Sequence, residues 1–190
     1  MIADLADHLG EACSCHQYVD DTTIYKSVKP KDLQKGVTKI SDSLKNLVHW
    51  SDGSKLAINN DKTKTMLITT SQMANYHSLR TPGIINISLN NNRNLEVLET
   101  YKLLGVHFGN TLRWEKHVNE IVSSCYASLA ILRKLRNMAS FQLRKQLVES
   151  LILSKLDYCD LVYYALPWKL LKRLQRVQSS AVCFITGKLS

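Results

Sequence analysis

The sequence has little of what fibrous, disordered or membrane-embedded proteins need. Its 190 residues include only 7 Gly and 3 Pro, and 45% are hydrophobic, which excludes collagen-like, low-complexity and globally disordered chains. The best apolar run, 151–168, is interrupted by Lys155, Asp157 and Asp160 and does not reach the ~18 residues of a membrane span. The first residues show neither a basic region nor an apolar signal core. We therefore expect an intracellular protein with no membrane partner.

Cysteine is also scarce, with five residues spread unevenly along the chain. An odd number of cysteines without a secretory signal predicts reduced, mostly buried thiols. Cys13, Cys15 and His16 form a candidate set of metal ligands, but their spacing is too tight and no second pair follows at finger spacing. Two small buried residues beside a strand are the favoured interpretation.

Positive charge is abundant and is concentrated in one part of the chain. Of 25 basic and 16 acidic side chains, residues 1–110 hold 12 and 11, a net of +1, whereas residues 111–190 hold 13 and 5, a net of +8. This asymmetry indicates a polyanion-binding module joined to a nearly neutral one, with a merely solvated surface as the alternative.

Hydrophobic periodicity predicts an α+β part followed by an all-helical part, with the boundary near 109–111. Apolar residues at helical spacing predict five helices, at 2–9, 30–50, 114–132, 140–156 and 167–186. β-rich runs predict a hairpin at 16–27, further strands at 64–70, 84–89, 93–98 and 101–108, and a polar loop around 71–83.

The candidate catalytic feature is Tyr18-Val19-Asp20-Asp21. Neighbouring side chains of a strand point to opposite faces, so adjacent carboxylates can share a site only where the backbone bends, as at a hairpin tip. Oxygen ligands of this kind suit Mg²⁺ or Mn²⁺. A paired Asp in a turn is also common on ordinary protein surfaces.

The downstream sequence resembles the reverse transcriptases of non-LTR retrotransposons, especially jockey- and CR1-like LINE elements. Tyr18-Val19-Asp20-Asp21 is similar to the aromatic-x-Asp-Asp hairpin of the polymerase palm. The matching segments continue in the family's order and spacing: Leu56-Ala57-Ile58-Asn59, Lys62-Thr63-Lys64, Tyr101-Lys102-Leu103-Leu104-Gly105-Val106, Leu112-Arg113-Trp114, Leu156-Asp157-Tyr158-Cys159 and Gln175-Arg176-Val177-Gln178.

The resemblance implies a partial palm at 1–110, with an antiparallel sheet, packing helices and the primer-grip hairpin, followed by a helical thumb at 111–190. It implies two-metal nucleotidyl transfer with Mg²⁺ or Mn²⁺, in which Asp20 is the main metal ligand and Asp21 the secondary one. Lys62 would steady the triphosphate or act as a general acid, or is simply a solvated loop lysine.

The partners implied are an RNA template, a DNA primer and a dNTP, in the cytoplasm and nucleus. Tyr18 would lie beneath the primer terminus, or is an aromatic of the core. The primer backbone would be held by residues of one hairpin, namely Tyr101, Lys102, Leu104 and Gly105, and Gly105 would allow a phosphate to approach closely.

The departures from the family limit what this chain can do alone. The family's first catalytic aspartate, on an earlier palm strand, and its fingers match no segment of these 190 residues. We therefore expect a catalytically incomplete polymerase fragment. A non-enzymatic, basic nucleic-acid-binding protein derived from such an element is the alternative.

The last predicted helix has a basic face. Lys169, Lys172, Arg173 and Arg176 recur at i, i+3, i+4 and i+7, apart from the apolar stripe of Leu171, Leu174, Val177, Ala181 and Phe184. A second basic cluster comprises Arg133, Lys134, Arg136, Arg144 and Lys145. Such surfaces contact phosphates without reading sequence, as a thumb around a template–primer duplex would.

Overall fold

The structure is a computed structural model that describes residues 8–9, 13–79, 81, 83–89, 94–164 and 166–187. The chain divides into two compact units, Met1–Glu99 and Thr100–Ser190. Helices and short two-stranded sheets occur together, so the fold is α+β. The predicted helix at 2–9 falls almost entirely outside the described residues.

The first unit begins with a β-hairpin of β1 (Ser14–Tyr18) and β2 (Asp21–Tyr25), as predicted. A 3₁₀ turn at Pro30–Asp32 leads into α1 (Leu33–Gly53), which confirms the predicted helix. The buried residues of this unit's core come from α1, from the segment before β4 and from Leu9 ahead of β1: Leu9, Leu44, Leu47, Ile85, Ile87 and Leu89.

The remaining strand predictions for this unit are mostly wrong. Only β3 (Lys64–Thr65) and β4 (Glu96–Val97) form within the long predicted strands, and they pair in parallel, not antiparallel. At 84–89 the described chain has a single isolated bridge, Ser88 to Asn94, although alternate residues there are buried. Burial with period two therefore occurs here without a ladder of strand hydrogen bonds.

The predicted loop at 71–83 contains a helix, α2 (Ser71–Tyr76). The hydroxyl Oγ1 of Thr70 accepts a hydrogen bond from the backbone N–H of Met73 at 3.2 Å and thereby caps it. The helix is too short to show an apolar stripe, so periodicity could not reveal it.

The second unit pairs a hairpin with a helical bundle. β5 (Thr100–Leu103) and β6 (Val106–Gly109) are antiparallel. They are followed by α3 (Glu115–Lys134), α4 (Phe141–Val148), a π-helical turn (Glu149–Leu153), α5 (Ser154–Asp157), a 3₁₀ turn (Asp160–Tyr163) and α6 (Trp168–Thr186). All three helices predicted after residue 111 are confirmed, including Ser140 as the cap of α4.

The bundle encloses the larger core of the two described units. Its buried members come from every helix: Val118, Val122, Cys125, Leu129, Leu132, Val148, Ile152, Leu156, Leu166, Leu170, Leu174, Val177, Ala181 and Phe184. The predicted stripe of α6 is confirmed except at its start, where Leu170 is buried and Leu171 only half-buried.

Two contacts show how α3 and α6 are oriented. Asn119, near the start of α3, accepts a hydrogen bond from Arg173 near the start of α6, and Arg136, just after α3, lies beside Gly187 at the end of α6. The two helices therefore run in the same direction. The ammonium group of Lys155 on α5 donates to the hydroxyls of Ser124 and Ser128 on α3, at 2.8 and 2.9 Å, which fastens the returning helix.

The boundary between the compact units lies earlier than the position near 110 expected from the sequence. The hairpin of β5 and β6 packs with α3, and the Lys116 ammonium donates to the Thr100 hydroxyl at 3.0 Å. Residues 100–190 hold 14 basic and 5 acidic side chains, a net of +9, while residues 1–99 hold 11 of each. The second compact unit therefore carries the entire net charge of the chain.

Candidate functional site

The β1–β2 hairpin places the Asp pair at an exposed tip. Tyr18 pairs with Asp21, so the connection is Val19-Asp20, and Val19 has φ +56°, a conformation that β-branched residues rarely adopt. Both carboxylates are exposed, and Tyr18 is 63% exposed. Tyr18 is therefore a surface residue of this hairpin, which does not fit the interpretation of a core aromatic.

The tip offers carboxylate oxygens, the donors that Mg²⁺ or Mn²⁺ prefers, so its donor chemistry fits such an ion. Mg²⁺ commonly binds through one or two carboxylates together with substrate phosphates. Within the described ranges, no cluster of three or more His, Cys, Asp or Glu side chains could hold a metal. Asp20 and Asp21 therefore belong to no group of three or more such side chains in the described part of the chain.

Lys62 lies on an exposed loop that Asn59 organises. The side-chain oxygen of Asn59 accepts from the backbone N–H of Lys62 at 3.0 Å, and its backbone oxygen accepts from the hydroxyl of Thr63 at 2.8 Å. These bonds fix the Lys62 backbone and leave its side chain in solvent.

A shallow cleft of the same unit, lined in part by His49 and Trp50, contains none of the predicted site residues.

The β5–β6 hairpin turns at Leu104 and Gly105, with φ +45° and +82°, the pair of positive angles that a type I′ turn requires. The hydroxyl of Tyr158 donates to the backbone oxygen of Leu104 at 2.6 Å. Its ring lies 3.1 Å from where a Cβ on Gly105 would stand. Turn geometry and Tyr158 together account for glycine at 105 without a bound phosphate.

The other predicted primer contacts of this hairpin point in different directions. Tyr101 and Lys102 are consecutive strand residues, so their side chains lie on opposite faces. Both are exposed, as is Leu104. The hairpin therefore does not present all four predicted residues on one surface.

The basic face of α6 forms as predicted. Lys169, Lys172 and Arg176 are exposed, and Arg173 is half-buried with its guanidinium donating to the side-chain oxygen of Asn119. None of the described ion pairs involves these four residues. A separate apolar stripe of α6 packs into the core, so this face is a positively charged surface on a packed helix.

His117, which is buried, and Tyr163, which is half-buried, lie against each other inside the helical unit. His117 is 2% exposed, and its Nδ1 accepts from the backbone N–H of His107 at 3.4 Å. Burial, with a smaller contribution from His107, lowers the pKa of His117 below its ordinary value of 6.5. Its ring stacks on the ring of Tyr163, with 6.2 Å between the centroids. Burial is the largest cause that raises the pKa of Tyr163 to about 12, and nearby thiols and carboxylates raise it further. Sequence patterns could not reveal this pair, because a buried histidine follows no ligand spacing.

The five cysteines are all free thiols. Cys125 is buried, and burial raises the pKa of its thiol although Lys155 opposes the shift. Cys159 is exposed, and Cys13, Cys15 and Cys183 are half-buried, so the expectation of mostly buried thiols holds for Cys125 alone. His16 stacks on Tyr25 at 5.2 Å, with its Nε2 3.1 Å from the Tyr25 hydroxyl.

Among the helices that the structure describes, none has the length and apolar character needed to cross a bilayer. No protein-family model, curated protein or solved structure matches this chain.

Proposed function

We propose that this chain is a palm-and-thumb fragment of a non-LTR retrotransposon reverse transcriptase, and that its helical unit holds template–primer duplex through the phosphate backbone. The ordered series of motifs supports the family assignment. The exposed Asp20-Asp21 tip is compatible with the role that the resemblance implies for it, and a hairpin forms at 100–109, although Tyr101 and Lys102 lie on opposite faces of it.

One observation carries the binding function: three of the four basic residues of α6 are exposed, while a separate apolar stripe of the same helix packs into the core. The compact unit 100–190 has a net charge of +9, and Lys169, Lys172 and Arg176 project from a single helical face. Lysine and arginine on a rigid surface bind polyanions by neutralising phosphates and releasing counterions, which requires no sequence readout.

The catalytic role belongs to the intact enzyme. Asp20 and Asp21 would hold Mg²⁺ or Mn²⁺, which supplies activation of the primer 3′-OH and neutralisation of the triphosphate during nucleotidyl transfer. Tyr18, exposed beside them, would contact the primer terminus, and Lys62 would contact the triphosphate. We propose that the 190-residue chain alone does not complete this site, because two carboxylates are fewer than the family's three.

Two assays of the purified 190-residue chain test this function. In the first, a primed RNA template with dNTP and Mg²⁺ or Mn²⁺ should give no extension. Incorporation that disappears in Asp20→Ala would show that the chain is a competent polymerase. In the second, the chain should bind labelled duplexes of unrelated sequence with similar affinity at one salt concentration.

The assays also separate the two candidate functions. Fusion to a palm and fingers segment from a related element should restore extension, and Asp20→Ala should abolish it again. Binding of duplex without any restoration would favour the non-enzymatic, basic nucleic-acid-binding protein. Failure to bind any duplex would contradict the proposal.

A further inference from the structure

Two arginines of the second basic cluster converge at the C-terminal end of α6. Nη1 of Arg144 and Nη2 of Arg136 lie 3.3 and 3.5 Å from the position that a Cβ on Gly187 would take. Gly187 ends the helix with φ +76°, a conformation that suits glycine. Both guanidinium groups therefore approach the same point beside the Gly187 backbone, where a side chain would contact them.

Among the described ion pairs, none includes Arg136 or Arg144. Arg144 donates from Nη1 to the backbone oxygen of Phe184 at 3.3 Å, while its Nε is buried without a hydrogen-bond partner in the described part. Two like charges this close repel each other, and an anion between them would remove that repulsion.

Helix capping explains only half of this arrangement. A cation near the last carbonyls of α6 is favoured by the helix dipole, which accounts for the bond from Arg144 to Phe184. Within the described residues Arg136 donates no such bond to the helix end, yet its guanidinium reaches the same point. Two adjacent guanidinium groups, neither of them in an ion pair with a described residue, suit the oxygens of a phosphate group.

We propose that Arg136 and Arg144 form a binding site for one phosphate group. This site rests on the proposed function, because it would extend the surface that contacts duplex. Gly187 follows Lys169 by about five helical turns of ~3.6 residues and therefore lies on the same face of α6. The basic face thus continues from Lys169 at one end of the helix to the arginine pair at the other. The phosphate belongs either to a nucleic-acid backbone or to a free ion.

The first test is independent of nucleic acid. The full chain, labelled with ¹⁵N-arginine, is titrated with inorganic phosphate while the Nε–Hε signals are recorded. The Arg144 signal should shift and saturate with phosphate, and should not shift with chloride at equal ionic strength. Arg136→Gln should abolish this response, whereas Arg113→Gln, at an exposed arginine just before α3, should preserve it. An unshifted Arg144 signal, or an equal response to chloride, would overturn the site.

The second test identifies the source of the phosphate. Arg136→Gln should lower the slope of log K against log salt for duplex binding by about one unit, since one phosphate contact is lost.

A phosphate response without any change in slope would support the site and assign it to the free ion. If the Arg144 signal does not respond to phosphate but the chain still binds duplex, the phosphate site is refuted and the proposed function stands. Loss of all duplex binding, with the phosphate response retained, would refute the proposed function alone. Arg136 lies in the turn after α3, so this variant leaves the bond from Arg144 to Phe184 in place.

Discussion

At the scale of single residues, His117 makes the stability of the helical unit depend on pH. Its pKa is lowered in the folded state, so the unfolded chain takes up the proton first as the pH falls below the ordinary value of 6.5. A proton on Nδ1 would also face the backbone N–H of His107. The stabilising contribution of neutral His117 is therefore complete above pH 6.5 and is lost as the pH falls toward the lowered pKa.

Urea denaturation at pH 7.5 and pH 5.5 measures this effect. Wild type should lose more free energy of unfolding between the two values than His117→Gln, which cannot be charged. His77→Gln is the matched control, because His77 is exposed, and should behave as wild type. Equal losses in wild type and in His117→Gln would show that His117 is not held neutral by burial.

The turn at Gly105 gives a second prediction at this scale. Gly105→Ala forces an L-residue to φ +82° and brings its Cβ to 3.1 Å from the Tyr158 ring, so it should destabilise the chain by about 1–2 kcal/mol. Gly53→Ala is the control, since no atom lies within 4 Å of the position that its methyl group would take and helical alanine is favoured by about 0.5–1 kcal/mol. Chemical denaturation followed by circular dichroism compares the two, and an unaffected Gly105→Ala would contradict the described turn.

At the scale of elements, the helical core should dominate stability. Leu129→Ala empties a site that is 0% exposed on α3, and such truncations cost about 2–5 kcal/mol. Leu161→Ala removes the same atoms from a side chain that is 87% exposed, so its cost should stay within about 0.5 kcal/mol. Urea midpoints of the two variants provide the comparison. Similar midpoints would mean that the described core is not the packed state.

The elements also show what the sequence could and could not reveal. The long helices were predictable because a stripe such as Val118, Val122, Cys125 and Leu129 persists over many turns. The predicted strands at 64–70 and 84–89 were wrong over most of their length, because β-rich sequence does not establish a hydrogen-bonded partner strand. The basic face of α6 follows directly from the helical period. The arginine pair could not be predicted, because Arg136, Arg144 and Gly187 meet only through packing between helices.

At the scale of the whole molecule, the two units should differ in local stability. The described core of the first unit has six buried apolar residues, and its sheets are two-stranded, a form that is marginal without further packing. The second unit buries fourteen residues among its helices. Amide hydrogen exchange of the full chain should therefore be slowest in α3 and α6 and faster in β1 and β2. Equally slow exchange in both units would contradict this difference.

The central claim is that the basic face of α6 contacts duplex phosphates. A fourfold variant replaces every basic residue of this face by Gln, namely Lys169, Lys172, Arg173 and Arg176. It should keep the helix, because Gln has high helix propensity, while it removes four positive charges. A control that replaces Lys31 and Lys39, exposed lysines of the neutral unit, tests for a general effect of net charge. Circular dichroism first establishes that each variant retains its helix content.

The salt dependence of duplex binding by the full chain is the most direct measurement. The slope of log K against log salt should fall by roughly three to four units in the fourfold α6 variant, equally for two unrelated duplexes, because each phosphate contact contributes ~0.9. The control should change it little. An unchanged slope in a variant that keeps its helix would place the duplex elsewhere and contradict the account.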